Sequence, residues 1–240
     1  MKVILPNCRV QFTAEDIQFI TEVMGRSEGG RNCLVQLLTD ADSRDAILDD
    51  ETLVHALLEQ GGFLRVSPHF YFYVLVRRVL KRAGIDDRTV ADYVAEVMTE
   101  FSRTERSRCE LPGSSKHLDY FFEMLAALQH ADERAAFYLR SHIGNQSLFM
   151  SGLFPERIRD RAERRGFPDL KYYQELGRIN FRVAGDHRLA RKYELSRVFH
   201  TLAERFEAAR RALNDLADRL VSLGEPAMNL PVFGQSSGEA

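Results

Sequence analysis

The sequence predicts an all-α fold, and three observations carry that expectation. Apolar residues recur at helical spacing through most of residues 13–223. Helix starts and stops punctuate the pattern: Thr13-Ala-Glu-Asp16, Ser67-Pro68, Asp132 and Asp169 in front, Gly84 and Gly166 behind. Strand candidates are confined to Val3-Ile-Leu5 and Arg9-Val-Gln-Phe12, and two such pieces alone make a marginal sheet. The expected architecture is a single multi-helix, bundle-like domain over residues 1–223 with a long C-terminal helix. A Gly/Pro/Ser-rich flexible tail over 224–240 follows it.

Each element has its own signal. Thr13 opens a helix whose stripe is Ile17, Ile20, Val23 and Met24. Gly29-Gly30 is expected to break the chain before a short helix bearing Cys33, Leu34, Leu37 and Leu38. Asp42-Ser-Arg-Asp45 caps a third helix, and a fourth runs from Glu51 to Gln60 and stops at Gly61-Gly62. Ser67-Pro68 combines a capping hydroxyl with a first-turn proline. The helix behind it is apolar around most of its circumference from Phe70 to Leu80, the mark of a central helix. Asp86 caps the next, through about Arg103, and residues 104–115 read as a charged loop. Leu118 to Leu128 is again strongly apolar. A helix from about Asp132 runs into Gly144, where a bend is expected. Pro155 opens a basic helix ending at Gly166, and Asp169 caps the one carrying Tyr172 and Tyr173.

The last helix is expected from about Arg188 to Leu223. Its apolar positions, Phe199, Leu202, Phe206, Ala209, Leu213, Leu216, Leu220 and Leu223, advance in alternating steps of three and four, a heptad seam. The flanking Ala203, Arg205, Arg210, Ala212, Ala217 and Arg219 offer no acid to pair with the arginines across a parallel dimer. Packing along the protein's own bundle is therefore expected over a coiled-coil dimer.

Composition bounds the function. The chain is 240 residues long, 45% hydrophobic and 28% charged, as in an ordinary globular protein. No apolar run reaches the roughly 18 residues of a membrane span, and Met1-Lys-Val-Ile-Leu-Pro6 is too short for a signal peptide. Three widely spaced cysteines, Cys8, Cys33 and Cys109, point to a reducing, cytoplasmic setting. Net charge is −2, but residues 1–60 hold 5 Lys/Arg against 11 Asp/Glu, and residues 155–211 hold 15 against 9. Two readings follow: the basic half meets an anionic partner, or the acidic and basic faces neutralise each other. The interleaving of acids among the arginines favours the second.

No motif dictates chemistry. The Glu-x-x-His spacing of helical metal sites is missing; Glu51/His55 and Glu123/His130 share faces, yet read as solvated or capping side chains. His142, Ser147 and Ser151 cluster without a strand–turn–helix elbow, so serine-hydrolase chemistry is not expected. Gly144 and Gly152 lack the phosphate-loop spacing. The arginines of 157–165 are interleaved with acids at a mild pI of about 6.4, so nucleic acid is not the expected partner.

The stretch Gly144-Asn-Gln-Ser-Leu-Phe-Met-Ser-Gly-Leu-Phe-Pro155 departs most from plain helical chemistry. Together with Ser67-Pro-His-Phe-Tyr-Phe-Tyr-Val-Leu75 and Tyr172-Tyr-x-x-Leu-Gly177, it resembles an uncharacterised family of bacterial all-helical proteins over roughly residues 40–205. The resemblance implies one helical domain and a bacterial cytoplasmic origin, and it carries no activity. From the residues, the expected function is a non-enzymatic interaction or regulatory protein, with a protein partner or self-association and no cofactor. The alternative is an enzyme or a small-molecule or lipid-like ligand carrier with a pocket near residues 142–178. Its candidate lining is His142, Asn145, Ser147, Tyr172, Tyr173 and Arg178.

Overall fold

A computed structural model describes residues 3–59, 65–102, 109–110, 117–118 and 120–222. Among these residues the protein is all-α. Thirteen α-helices are joined by one antiparallel pair of two-residue strands, β1 (Cys109–Glu110) and β2 (His117–Leu118). The N-terminal strand candidates are not strands: Cys8–Gln11 is a 3-10 turn. Leu223, the tail, the Gly61-Gly62 stop and most of the 104–115 loop lie outside the described residues.

Helix α1 (Ala14–Met24) starts with a capping box, the Thr13 hydroxyl and the Asp16 carboxylate each accepting the other's amide. Asp16 also accepts the amide and hydroxyl protons of Ser67 at 2.6 and 2.7 Å, so it ties the start of α1 to a second helix start 51 residues away. Helix α2 (Glu28–Leu37) contains Gly29-Gly30 in its first turn, against expectation. Ser27 caps that turn, and the chain breaks earlier, at Gly25. Helix α3 (Ala41–Leu48) is capped by Asp40 rather than Asp42, because Asp40 is the extended residue whose carboxylate reaches the Ser43 amide. Helix α4 (Glu51–Glu59) follows.

Helix α5 (Pro68–Arg82) is capped by Ser67, and every residue from Phe70 to Arg77 is buried. It ends at Gly84, whose φ of +78° suits glycine. Helix α6 (Arg88–Ser102) is capped by Asp87, since Asp86 turns instead to Arg77. Helices α7 (Phe121–Leu128), α8 (Glu133–Leu153), α9 (Pro155–Arg165) and α10 (Leu170–Asp186) come next. The expected long last helix is three: α11 (Arg188–Lys192), α12 (Ser196–Glu204) and α13 (Phe206–Ser222). The chain breaks at Glu194, which has a φ of +59°, and at Arg205, whose guanidinium donates to Ala83 O at 3.2 Å. The heptad seam survives the second break: Phe199, Leu202, Phe206, Ala209, Leu213 and Leu216 are all buried within the one chain.

The core is built on α5, which packs on α6 and α13. Helix α13 also lies along α8, α10 packs between α8 and α12, and α12 returns to α6. The 3-10 turn and α4 cover α5, and α1 carries α2 and α4. Helix α8 runs unbroken through Gly144, so the expected bend is not there; the corner is at Phe154-Pro155. Gly144 serves close approach instead. A Cβ on it would lie 2.8 Å from the Phe181 ring of α10.

The charge asymmetry resolves only in part within the fold. Arg77, 1% exposed, holds Asp49 in a two-pronged contact at 2.9 and 3.0 Å and also Asp86. Asp49 takes Lys81 and Arg88 as well, Asp45 takes Arg9 and Arg88, and Glu51 takes Arg78. These acids of the N-terminal quarter are thus neutralised by α5, α6 and the 3-10 turn, not by the basic residues of 155–211.

Candidate functional site

The six candidate residues are spread over several neighbours rather than gathered at one point. On α8, Asn145 accepts the Tyr93 hydroxyl of α6 at 2.8 Å, with both side chains buried. Side chains two residues apart on a helix leave it in directions about 200° apart, so Ser147 faces α10. A Cβ on Gly177 would lie 2.9 Å from Ser147 Cβ. The Ser147 hydroxyl is fully buried and has no hydrogen-bond partner among the described residues, while Ser151 donates back to the Ser147 carbonyl at 2.6 Å. The ring of His142 rests 5.3 Å from Phe101. On α10, Tyr172 is exposed at the helix start, where Asp169 accepts its amide. Tyr173 stands edge-on to Phe121 at 5.4 Å, and Arg178 pairs with Glu175 one turn back at 2.6 Å.

The metal candidates are also occupied. Glu51 is taken by Arg78, and Glu123 accepts the Tyr120 amide at 3.1 Å. Among the described residues, no group of three His, Cys, Asp or Glu side chains could hold a metal ion. No helix among them is long and apolar enough to cross a membrane.

What the sequence reading missed is a surface. Helix α7, Phe-Phe-Glu-Met-Leu-Ala-Ala-Leu, is apolar except at Glu123, and so apolar a helix is expected inside. Here only Met124 is fully enclosed, in a small secondary core with Leu118, Leu139 and Ile143. Phe122 is 69% exposed and Tyr120 is 59% exposed, and their rings stack 5.6 Å apart. Phe121 and Tyr173 link α7 to the start of α10, where Tyr172 and Phe167 are also exposed. Further along α10, Ile179 and Val183 are exposed too; with Tyr172 they fall at helical spacing on one stripe. The available signal was the nearly all-apolar pattern of α7. Its outward face differs from a core helix only in what packs over it, and pattern alone does not show that.

Around this surface the charge is basic. Arg157, Arg161 and Arg164 on α9, and Lys171 and Arg182 on α10, are exposed with no ion pair among the described residues. Burial raises the Tyr173 hydroxyl pKa, and the Arg161 charge offsets this only in part. A groove of about 390 Å³ lies elsewhere, between α5 and α13, floored by Val79, Ala83, Ala208 and Ala212. Its rim mixes Arg82 and Arg211 with Glu207 and Asp215.

No protein-family model matches the chain, and neither a curated protein nor a solved structure matches it.

Proposed function

We propose that this protein is a non-enzymatic interaction or regulatory protein that docks a protein partner on the α7–α10 surface. One observation carries the reading: the Tyr120–Phe122 stack stands in solvent beside Phe121, Tyr172 and Tyr173. Contiguous exposed apolar surface of this kind marks interaction sites, and aromatic residues dominate their energetics. The unpaired arginines of α9 give the partner its chemistry, an acidic segment with apolar side chains. Aromatics beside arginines also suit single-stranded nucleic acid. The aliphatic Ile179 and Val183, and the acids Asp160 and Glu163 among the arginines, favour protein. A bacterial cytoplasmic setting belongs to the same proposal, from the cysteine spacing and the motif resemblance. The enzyme or ligand-carrier alternative draws less support, because Asn145, Tyr173 and Arg178 are engaged with separate neighbours.

The test is a photo-crosslinking amino acid placed at position 122, at 172, or at the exposed control position Val10. In cells of the source, positions 122 and 172 are expected to give the same discrete protein adduct, weakened by Arg161→Glu. An adduct of twice the protein's own mass assigns the surface to a second copy, and a nuclease-sensitive adduct assigns it to nucleic acid. Adducts no different from those at position 10 overturn the proposal.

A further inference from the structure

Helix α13 has a second face besides its seam. Phe206, Ala209, Leu213 and Leu216 pack inside, and Arg210 is enclosed with them at 7% exposed. Glu207, Arg211, Asp215 and Arg219 stand in solvent instead. They recur at every fourth residue, so they follow one ridge of the helix, and their charges alternate: acid, base, acid, base. All four line the groove of about 390 Å³ between α13 and α5. Its floor is apolar, made by Val79 and Ala83 on one side and by Ala208 and Ala212 of α13 on the other. Small side chains at such a floor let another helix come close.

A row of four alternating charges is complementary to its own reverse. Laid antiparallel on a copy of itself, about a two-fold axis at residue 213, the row sets Arg211 opposite Asp215 of the second copy. It also sets Glu207 opposite the second copy's Arg219, and the symmetry makes each contact twice. Laid parallel and in register, it would set acid on acid and base on base, which repel. The charge pattern therefore selects the antiparallel arrangement. Ridges of four-residue spacing also pack into one another's grooves in the commonest class of helix pair. Within one chain little holds these charges. Glu207 and Arg211 form a surface pair, with side chains 62% and 69% exposed, and such a pair is weak enough to exchange. Asp215 has no ion pair among the described residues.

We propose that the outer face of α13 is a homodimer interface, in which α13 of a second copy lies antiparallel along the α5–α13 groove and pairs its charged ridge with that of the first. The seam stays inside each copy, and the proposal is independent of the α7–α10 surface. The test is sedimentation of the whole chain over a dilution series, with one variant at each member of the central pair. Wild type is expected to sediment at twice the chain's mass and to dissociate on dilution, more readily at high salt. Arg211→Glu sets two acids against each other at both contacts, and Asp215→Arg sets two guanidinium groups against each other. Each variant alone is expected to be a monomer with wild-type helix content by circular dichroism, its dimer dissociation constant raised at least about a hundredfold. Mixed in equal amounts, the two variants are expected to dimerise again. The new acid of one then meets the new arginine of the other, and the second contact is the native pair. Charges that act only within their own helix cannot give this complementation. A wild type that stays monomeric leaves the groove to a different protein and overturns the proposal. Single variants that dimerise as wild type does, or a mixture that stays monomeric, overturn it as well.

Discussion

The ring of Phe206 occupies the space that a side chain at residue 177 would need. A Cβ on Gly177 would lie 2.3 Å from Phe206 Cε2 and 2.4 Å from its Cζ. Gly177 thus lets α13 begin by inserting a full aromatic ring against α10, with Ser147 of α8 closing the third side. Gly177→Ala should overpack this junction and cost about 3 kcal/mol, and Phe206→Ala should cost about 3–5 kcal/mol through the cavity it leaves. The double variant is expected to lose clearly less than the sum, since the added methyl then enters the vacated space. Urea denaturation of the four proteins measures this. Simple additivity would place the two side chains apart.

Among the six candidate residues, stability and exposure separate sharply. Asn145→Ala strands the buried Tyr93 hydroxyl without its acceptor, so a loss of about 1–3 kcal/mol is expected. Arg178→Ala removes only a surface pair to Glu175 and should change stability by less than about 0.5 kcal/mol. Chemical denaturation of both variants checks this, and equal losses would contradict the assignment of Asn145 as the enclosed member.

The C-terminal seam gives a concentration test. Leu213 and Leu216 are buried inside their own chain among α8 and α5. Leu216→Asp should therefore lower the unfolding midpoint equally at every protein concentration. A folded, soluble monomer from a wild-type dimer, seen by light scattering, would make the seam an interface instead.

How much of this could be read beforehand differs by element. Ser67-Pro68, Asp132-x-x-Ala135 and Asp169-x-x-Tyr172 act locally, so their helices begin where the residues say. The seam positions were legible for the same reason: spacing alone decides which residues share a face. The break at Arg205 was not, because it answers to distant partners, Arg205 to Ala83 and Phe206 to Gly177. Gly144 read as a point of bending, since a glycine's sequence neighbours do not reveal the ring that will cross it. The candidate site drew on polar residues that the fold uses one by one for packing and capping. The exposed Phe122 and the enclosed Arg210 emerged only when burial was known, because each is an ordinary residue in an unexpected place.

The Asp49 cluster gives stability a pH dependence of known sign. Burial alone would raise the Asp49 pKa, but hydrogen bonds from Arg77 and Lys81 and the charges of Arg77 and Arg88 outweigh it, taking the carboxyl from 3.8 to about 2. A carboxyl with its folded pKa depressed contributes stability that is complete above the unfolded value and lost as pH falls through the folded one. The window is therefore roughly pH 4 to 2, and the shift corresponds to about 2 kcal/mol. Other carboxylates also titrate there, so the informative quantity is the difference between proteins. Asp49→Asn should be less stable than wild type at pH 6, where Arg77 loses its charged partner, and the gap should narrow steadily as pH is lowered through 4 toward 2. Urea midpoints at four pH values measure it. A gap that stays constant with pH would mean that Asp49 contributes through packing and not through its charge.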